Sequence, residues 1–231
     1  MTSEYVEIGS GDPIEQENCV EFRLLFDGEI GPDSRAPVKQ EIRRALHPQL
    51  RRLWQVNRNL REMAEHYGRM FHARMQTETG QTPTDVASQD EAMQLAFQHW
   101  GTNWNYAPFR FVPLVTKELA LVCKIEILLL RPDDDTYVVE HGDLDGHVKT
   151  LFDGLRMPTK QDETGYSTPT ADENPFFCLL EDDRLISELR VKADKLLLLP
   201  HKAISSKNDA FAVITVTINH KYRGTFDQWF A

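Results

Sequence analysis

The chain is poor in cysteine, with Cys19, Cys123 and Cys178 alone among 231 residues. They are widely spaced and odd in number, which excludes a disulfide framework and any zinc-ribbon spacing. Buried free thiols in a reducing, cytoplasmic setting are expected. Long apolar runs are missing as well. The most apolar stretch, residues 125–130, falls far short of the roughly 20 residues a membrane helix needs, and it reads as a buried strand. The opening Met1-Thr2-Ser3-Glu4-Tyr5 has neither a basic start nor an apolar core, so no signal peptide is expected. There is no glycine-rich phosphate loop and no Gly-x-Ser-x-Gly elbow, and no cysteine stands in a nucleophile motif. His47, His66 and His72 lack the spacing of a zinc site. Positive charge is also short: 26 Lys and Arg stand against 36 Asp and Glu, a net −10. As a sum this disfavours a nucleic-acid binder, because phosphate contacts need cations.

The charge is, however, polarised. Residues 1–33 carry nine acids against Arg23. Residues 38–75 carry nine Lys and Arg against Glu41, Glu62 and Glu65, a local +6. A basic face can therefore exist on an acidic protein. Residues 1–18 read as an acidic, flexible tail and residues 19–231 as one domain, with a basic helical region at 38–75.

Within that domain, alternation predicts a first strand over 19–26, followed by a Gly- and Pro-rich loop to 37. Apolar residues at three- and four-residue steps predict a helix over 38–75, bent at His47-Pro48, with Pro48 opening a renewed helix. Ser88 with Glu91 has the capping-box spacing and predicts a short helix to Trp100. Trp100, Trp104, Tyr106, Phe109 and Phe111 form an aromatic cluster, expected as core or docking surface rather than a base-stacking platform. Residues 119–130 read as a strand, and a helix follows Asp145 to about Arg156, with Val148, Leu151, Phe152 and Leu155 as its apolar stripe. Residues 157–175 form a long polar insertion loop. Residues 176–180 are a short strand, 186–199 is mixed with 196–199 strand-like, and 210–219 is a final strand.

The chemistry centres on Asp143-Leu144-Asp145. Residues two apart on an extended segment point the same way, so both carboxylates can face one pocket while Leu144 turns to the core. Lys149 and Asp153 follow at four-residue steps, and with Arg156 they share one flank of the helix. A second acidic point, Asp182-Asp183, directly follows an apolar strand. Crowded carboxylates repel unless a cation neutralises them. Mg²⁺ or Mn²⁺ on such hard oxygen ligands is what phosphodiester hydrolysis uses, and a nearby lysine can hold the scissile phosphate. On pattern alone the bland alternatives stay open: a helix-capping Asp and a solvated acidic turn.

The run Asp143-Leu144-Asp145-x-x-x-Lys149-x-x-x-Asp153-x-Leu155, then an apolar strand ending in Asp182-Asp183, then Ile186, resembles the signature of RusA-type Holliday-junction resolvases. The order of elements agrees over about 19–220. The resemblance implies an α+β fold: a mixed β-sheet with packed helices, RusA-like, in a single domain with insertions. It implies a homodimeric, Mg²⁺-dependent (or Mn²⁺-dependent) endodeoxyribonuclease that nicks branched DNA in pairs. Carried over by position, Asp143, Asp145 and Asp183 would be metal-binding carboxylates and Lys149 the catalytic lysine. Asp153 and Asp182 match acidic positions of secondary role. The chain departs from the pattern at Gly146, where the family usually has Asn, and in its long loop 157–175. A catalytically degenerate protein of the same fold, binding nucleic acid or a protein partner without cutting, is the alternative.

Lys39, Arg43, Arg44, Arg51, Arg52 and Arg58 are candidates for phosphate contact. Arg44, Arg51 and Arg58 recur every seven residues, as one exposed stripe would. The competing reading is a solvated helix face paired with the acidic N-terminus. His141 and His147 flank the Asp pair and are expected as a turn residue and an exposed helix residue. Asp133-Asp134-Asp135 reads as a solvated turn.

Overall fold

Alternation of apolar side chains builds the centre of the fold. In the computed structural model, residues 20–31, 34–106, 108–132, 144–197 and 208–221 are described. Strand β4 (Leu121–Pro132) turns Leu121, Cys123, Ile125, Ile127 and Leu129 inward, and all are at most 2% exposed. Strand β7 (Asp209–His220) does the same with Ala212, Ile214, Val216 and Ile218. With β1 (Val20–Glu29) and β6 (Ile186–Leu196) they form a mixed sheet of order β1-β7-β4-β6. The β1/β7 and β7/β4 pairs are antiparallel, and β4/β6 is parallel. The fold is thus α+β, in a single domain.

Helices cover the inward face. Helix α1 (Ala36–Val56) buries Ile42, Leu46, Leu50 and Trp54, and α2 (Arg58–Glu78) buries Leu60, Met63, Ala64 and Gly68. Helix α3 (Gln89–Asn103) starts at Ser88, whose side chain accepts from the Glu91 N–H at 3.1 Å. That is the cap the sequence predicts. Pro48, where a bend and a renewed helix are expected, lies inside α1, which continues through it to Val56. The break comes nine residues later, at Asn57, which ends α1 and caps α2 by accepting from the Leu60 N–H at 3.1 Å. A proline deletes one ladder bond, whereas Asn supplies a competing acceptor that starts a new helix.

A smaller sheet, order β2-β3-β5, joins β2 (Asn105–Tyr106), β3 (Phe109–Val115) and β5 (Phe176–Leu180), with β3 and β5 parallel. Every residue of β5 is buried. Strand β3 escapes the period-two signal because it is buried on both sides, which replaces alternation by a continuous apolar run. The aromatic cluster is core: Trp100, Phe109 and Phe111 are at most 1% exposed. Cys123 and Cys178 are buried free thiols, and burial pushes the Cys123 thiol up to about 12. No helix among the described residues is long and apolar enough to cross a membrane.

Helix α4 (Leu144–Leu155) links β4 to the smaller sheet and packs on α1. Gly154 permits the approach, since a Cβ there would lie 2.5 Å from Ile42 Cγ2. The end of α4 is tied to the end of β5: the Met157 N–H donates to the Leu180 carbonyl at 2.8 Å. The two edges of the large sheet are blunted differently. Gln49 of α1 accepts from the Leu25 N–H at 2.9 Å and donates to its carbonyl at 2.7 Å, capping β1. On β6, Glu188 and Arg190 pair with Lys124 and Glu126 of β4, a charged edge that discourages further strand addition.

Candidate functional site

Helix α4 presents the acidic motif. Its buried side carries His147, Thr150, Leu151, Gly154 and Leu155. Asp145 lies in the first turn, where an acid favours the positive end of the helix dipole. Asp145 and Lys149 are both exposed, one turn apart. Asp143, His141 and Asp133-Asp134-Asp135 lie outside the described residues. His147, expected on the exposed side, is instead 2% exposed. At i+3 and i+4 from it, Thr150 and Leu151 lie on the same inward side of the helix.

Asp153 does not stand beside Asp145 and Lys149 as a further open acid. Lys39 Nζ lies 2.6 Å from its carboxylate and Arg156 Nη2 2.9 Å away. Burial pushes the Asp153 carboxyl up, but the two cations more than offset this, so it lies below its usual range. The group joins α1 to α4.

The second acidic point follows β5. The Glu181 N–H donates to Val115 O at 3.0 Å, and its carboxylate accepts from the Lys117 N–H at 2.8 Å, so this corner is held to β3. Asp182 caps the 3-10 turn Asp183–Leu185 by accepting from the Arg184 N–H at 2.9 Å. The Arg184 guanidinium, 2.6 Å away, holds the Asp182 carboxyl well below the usual carboxylate range. Asp183 is exposed. The end of α4 that meets β5 is its C-terminal end. Asp145 stands at the other end of the helix, roughly 16 Å along the axis from Arg156. Among the described residues, no group of three or more His, Cys, Asp or Glu side chains is placed to hold a metal ion. The expected ligand set includes Asp143, which lies outside them.

The basic segment divides into buried and open cations. Arg43 is not on a DNA-facing side: it is 1% exposed. It donates to the carbonyls of Arg156 (2.9 Å), Glu163 (3.0 Å) and Asp153 (2.5 Å). Burial, then the Arg156 charge, lower its pKa to about 10. Lys39 is spent on Asp153, and Arg44 pairs with Glu173 at 2.8 Å and donates to Thr168 O. The described acidic partners that the cations of α1 reach are therefore Asp153, Asp172 and Glu173. The last two lie in the insertion loop, whereas on α2 Arg58, Arg69 and Arg74 pair with Glu62, Glu65 and Glu78 of the same helix, and Arg69 also reaches Asp85 beyond it. The seven-residue stripe is broken, because Arg44 and Arg51 sit on α1 while Arg58 begins α2 beyond Asn57. Arg51 and Arg52 are exposed. With Arg61 of α2 they line a cleft of about 540 Å³.

No family model matches the chain, and neither a curated protein nor a solved structure shows significant similarity to it.

Proposed function

We propose that the protein is a metal-dependent endodeoxyribonuclease acting on branched DNA. The observation that carries this is at the start of α4: the helix begins at Leu144, inside the Asp-x-Asp segment, and leaves Asp145 and Lys149 exposed one turn apart. The order of a buried strand, this helix, and a second buried strand followed by Asp182-Asp183 supports it.

The exposed carboxylate of Asp145 is a hard oxygen donor of the kind Mg²⁺ or Mn²⁺ takes, and with Asp143 it would hold the ion, whereas Asp183 follows β5 at the far end of α4. Such a cation, when bound, stabilises negative charge on phosphate oxygens. Lys149 would place its ammonium at the scissile phosphate, in reach of the charge that develops on the leaving oxygen. Arg51, Arg52 and Arg58 keep their charge at the surface and would position the backbone. Two subunits would act together, because one site cannot cut both strands of a four-way junction.

The placement of the acids favours one rival. Asp153 and Asp182 serve an ion pair and a cap, and Gly146 stands where the resembling family has Asn. A catalytically degenerate binder of the same fold would show these features.

Cleavage of a labelled synthetic four-way junction separates the two. Linear duplex, flap and single-stranded controls are run with Mg²⁺, Mn²⁺ or EDTA. Paired nicks at the junction, lost in EDTA and in Asp145→Asn or Asp143→Asn while junction binding persists, are expected. Cutting of a different substrate keeps the nuclease and removes the junction. A folded protein that cuts none of these substrates sinks the proposal in favour of the binder.

A further inference from the structure

The cleft between α1, the start of α2, α3 and residues 171–177 uses none of the acids of the proposed metal site. Arg51, Arg52 and Arg61 line it, with Asp90. Trp54 and Phe97 lie at its apolar base. None of the three guanidiniums has a buried carboxylate partner among the described residues. Arg52 donates to the neutral Gln55 amide at 3.3 Å, and Arg61 donates to the neutral Gln89 amide. Arg51 reaches Asp172 at 3.4 Å, but that carboxylate side chain is 89% exposed, and such surface pairs contribute little. Trp54 is 1% exposed, and its indole N–H makes no hydrogen bond among the described residues.

We propose that this cleft binds a phosphorylated nucleoside, its phosphate held by Arg51, Arg52 and Arg61. A planar guanidinium fork matches phosphate oxygens in pairs, and a phosphate monoester carries nearly two charges and three acceptor oxygens where a carboxylate has one charge and two. Asp90 supplies an acceptor for a base amino group within the same cleft. The volume of about 540 Å³ suits a single nucleotide and not a duplex, since small-ligand pockets run from roughly 300 to 1,000 Å³. The nucleotide comes either free or as the phosphorylated end of a single strand. The proposal goes beyond the nuclease reading and does not rest on it.

Calorimetric titration of the full chain in EDTA tests it without any cleavage. The probes are AMP, adenosine, inorganic phosphate, and one single-stranded oligonucleotide with and without a 5′-phosphate. AMP is expected to bind once per chain, and adenosine not to bind. Arg52→Ala and Arg61→Ala should each weaken AMP about tenfold or more, equivalent to about 1.4 kcal/mol, while Arg74→Ala near the other end of α2, where the side chain is exposed and paired with Glu78, leaves it unchanged. Arg52→Lys, which retains charge but loses the fork, should fall between wild type and Arg52→Ala. Preference for the phosphorylated over the unphosphorylated strand identifies a strand end; AMP binding without it identifies a free nucleotide. If neither AMP nor the phosphorylated strand gives saturable binding, or if the Arg52 and Arg61 variants bind as wild type does, the proposal is overturned.

Discussion

At position 47 a histidine ring is wedged between α1, β5 and the insertion loop, and both its nitrogens are used. Nδ1 accepts from the Phe177 N–H at 2.8 Å, so the proton must sit on Nε2, which lies 3.0 Å from Asp172 O and donates to it. The ring also packs on Phe176, with centroids 4.6 Å apart. Burial lowers its pKa from 6.5. A basic group whose folded pKa is depressed contributes stability that is fully present above the unfolded value and is lost as pH falls below it. Urea denaturation should therefore show wild type losing stability between pH 7 and pH 5, and His47→Asn, whose amide does not titrate, losing less. Equal slopes in the two proteins would refute this role for His47.

At the scale of elements, close helix contacts depend on missing side chains. In α2, a Cβ at Gly68 would lie 1.8 Å from the Ala92 carbonyl oxygen of α3, and backbone cannot yield as a side chain can. Gly68→Ala should destabilise by about 1–3 kcal/mol or more through overpacking. Gly101→Ala in α3, whose nearest neighbour would be Arg110 Cβ at 3.3 Å, should change stability far less, as thermal melts of both variants would show. The helices α3 and α4 were legible from their caps and stripes, whereas two strands were obscured in opposite ways. Strand β3 is apolar on both sides, and β6 alternates charges on an exposed edge, so neither shows the apolar-in, polar-out rhythm. The Asn57 break was hidden because the apolar steps continue across it.

Over the whole molecule, the insertion loop is docked onto α1 by charge. Arg44 pairs with Glu173, Arg43 donates to Glu163 O, and Arg156 pairs with Glu163 at 3.0 Å. Burial raises the Asp153 and Glu163 carboxyls. For Asp153, Lys39 and Arg156 reverse that; for Glu163, Thr159 and Arg156 do. Both carboxyls therefore end below their ordinary values of 3.8 and 4.5. Depressed carboxyls contribute stability present above those values and lost as pH falls through the folded ones. In acid titration followed by circular dichroism, wild type should lose stability steeply below about pH 4, near the ordinary carboxylate range. Asp153→Asn should start less stable at pH 6 and lose less on the way down. A variant curve parallel to wild type would contradict the ion-pair account.

The sequence by itself determined the central strands β4 and β7, the Ser88 cap of α3, and the placement of Asp145 and Lys149 one turn apart on one side of a helix. These are local patterns, set by periodicities of two and of three to four residues, and they need no knowledge of neighbours. Only the tertiary structure decided which charges are spent. Arg43 and Arg58 look alike in a basic run, yet one is 1% exposed behind a loop more than a hundred residues away and the other's side chain is 86% exposed. Likewise Asp153 is set apart from Asp145 by Lys39, which the chain brings in from far along the sequence. Burial and long-range pairing depend on what packs opposite a residue, and no local spacing encodes that.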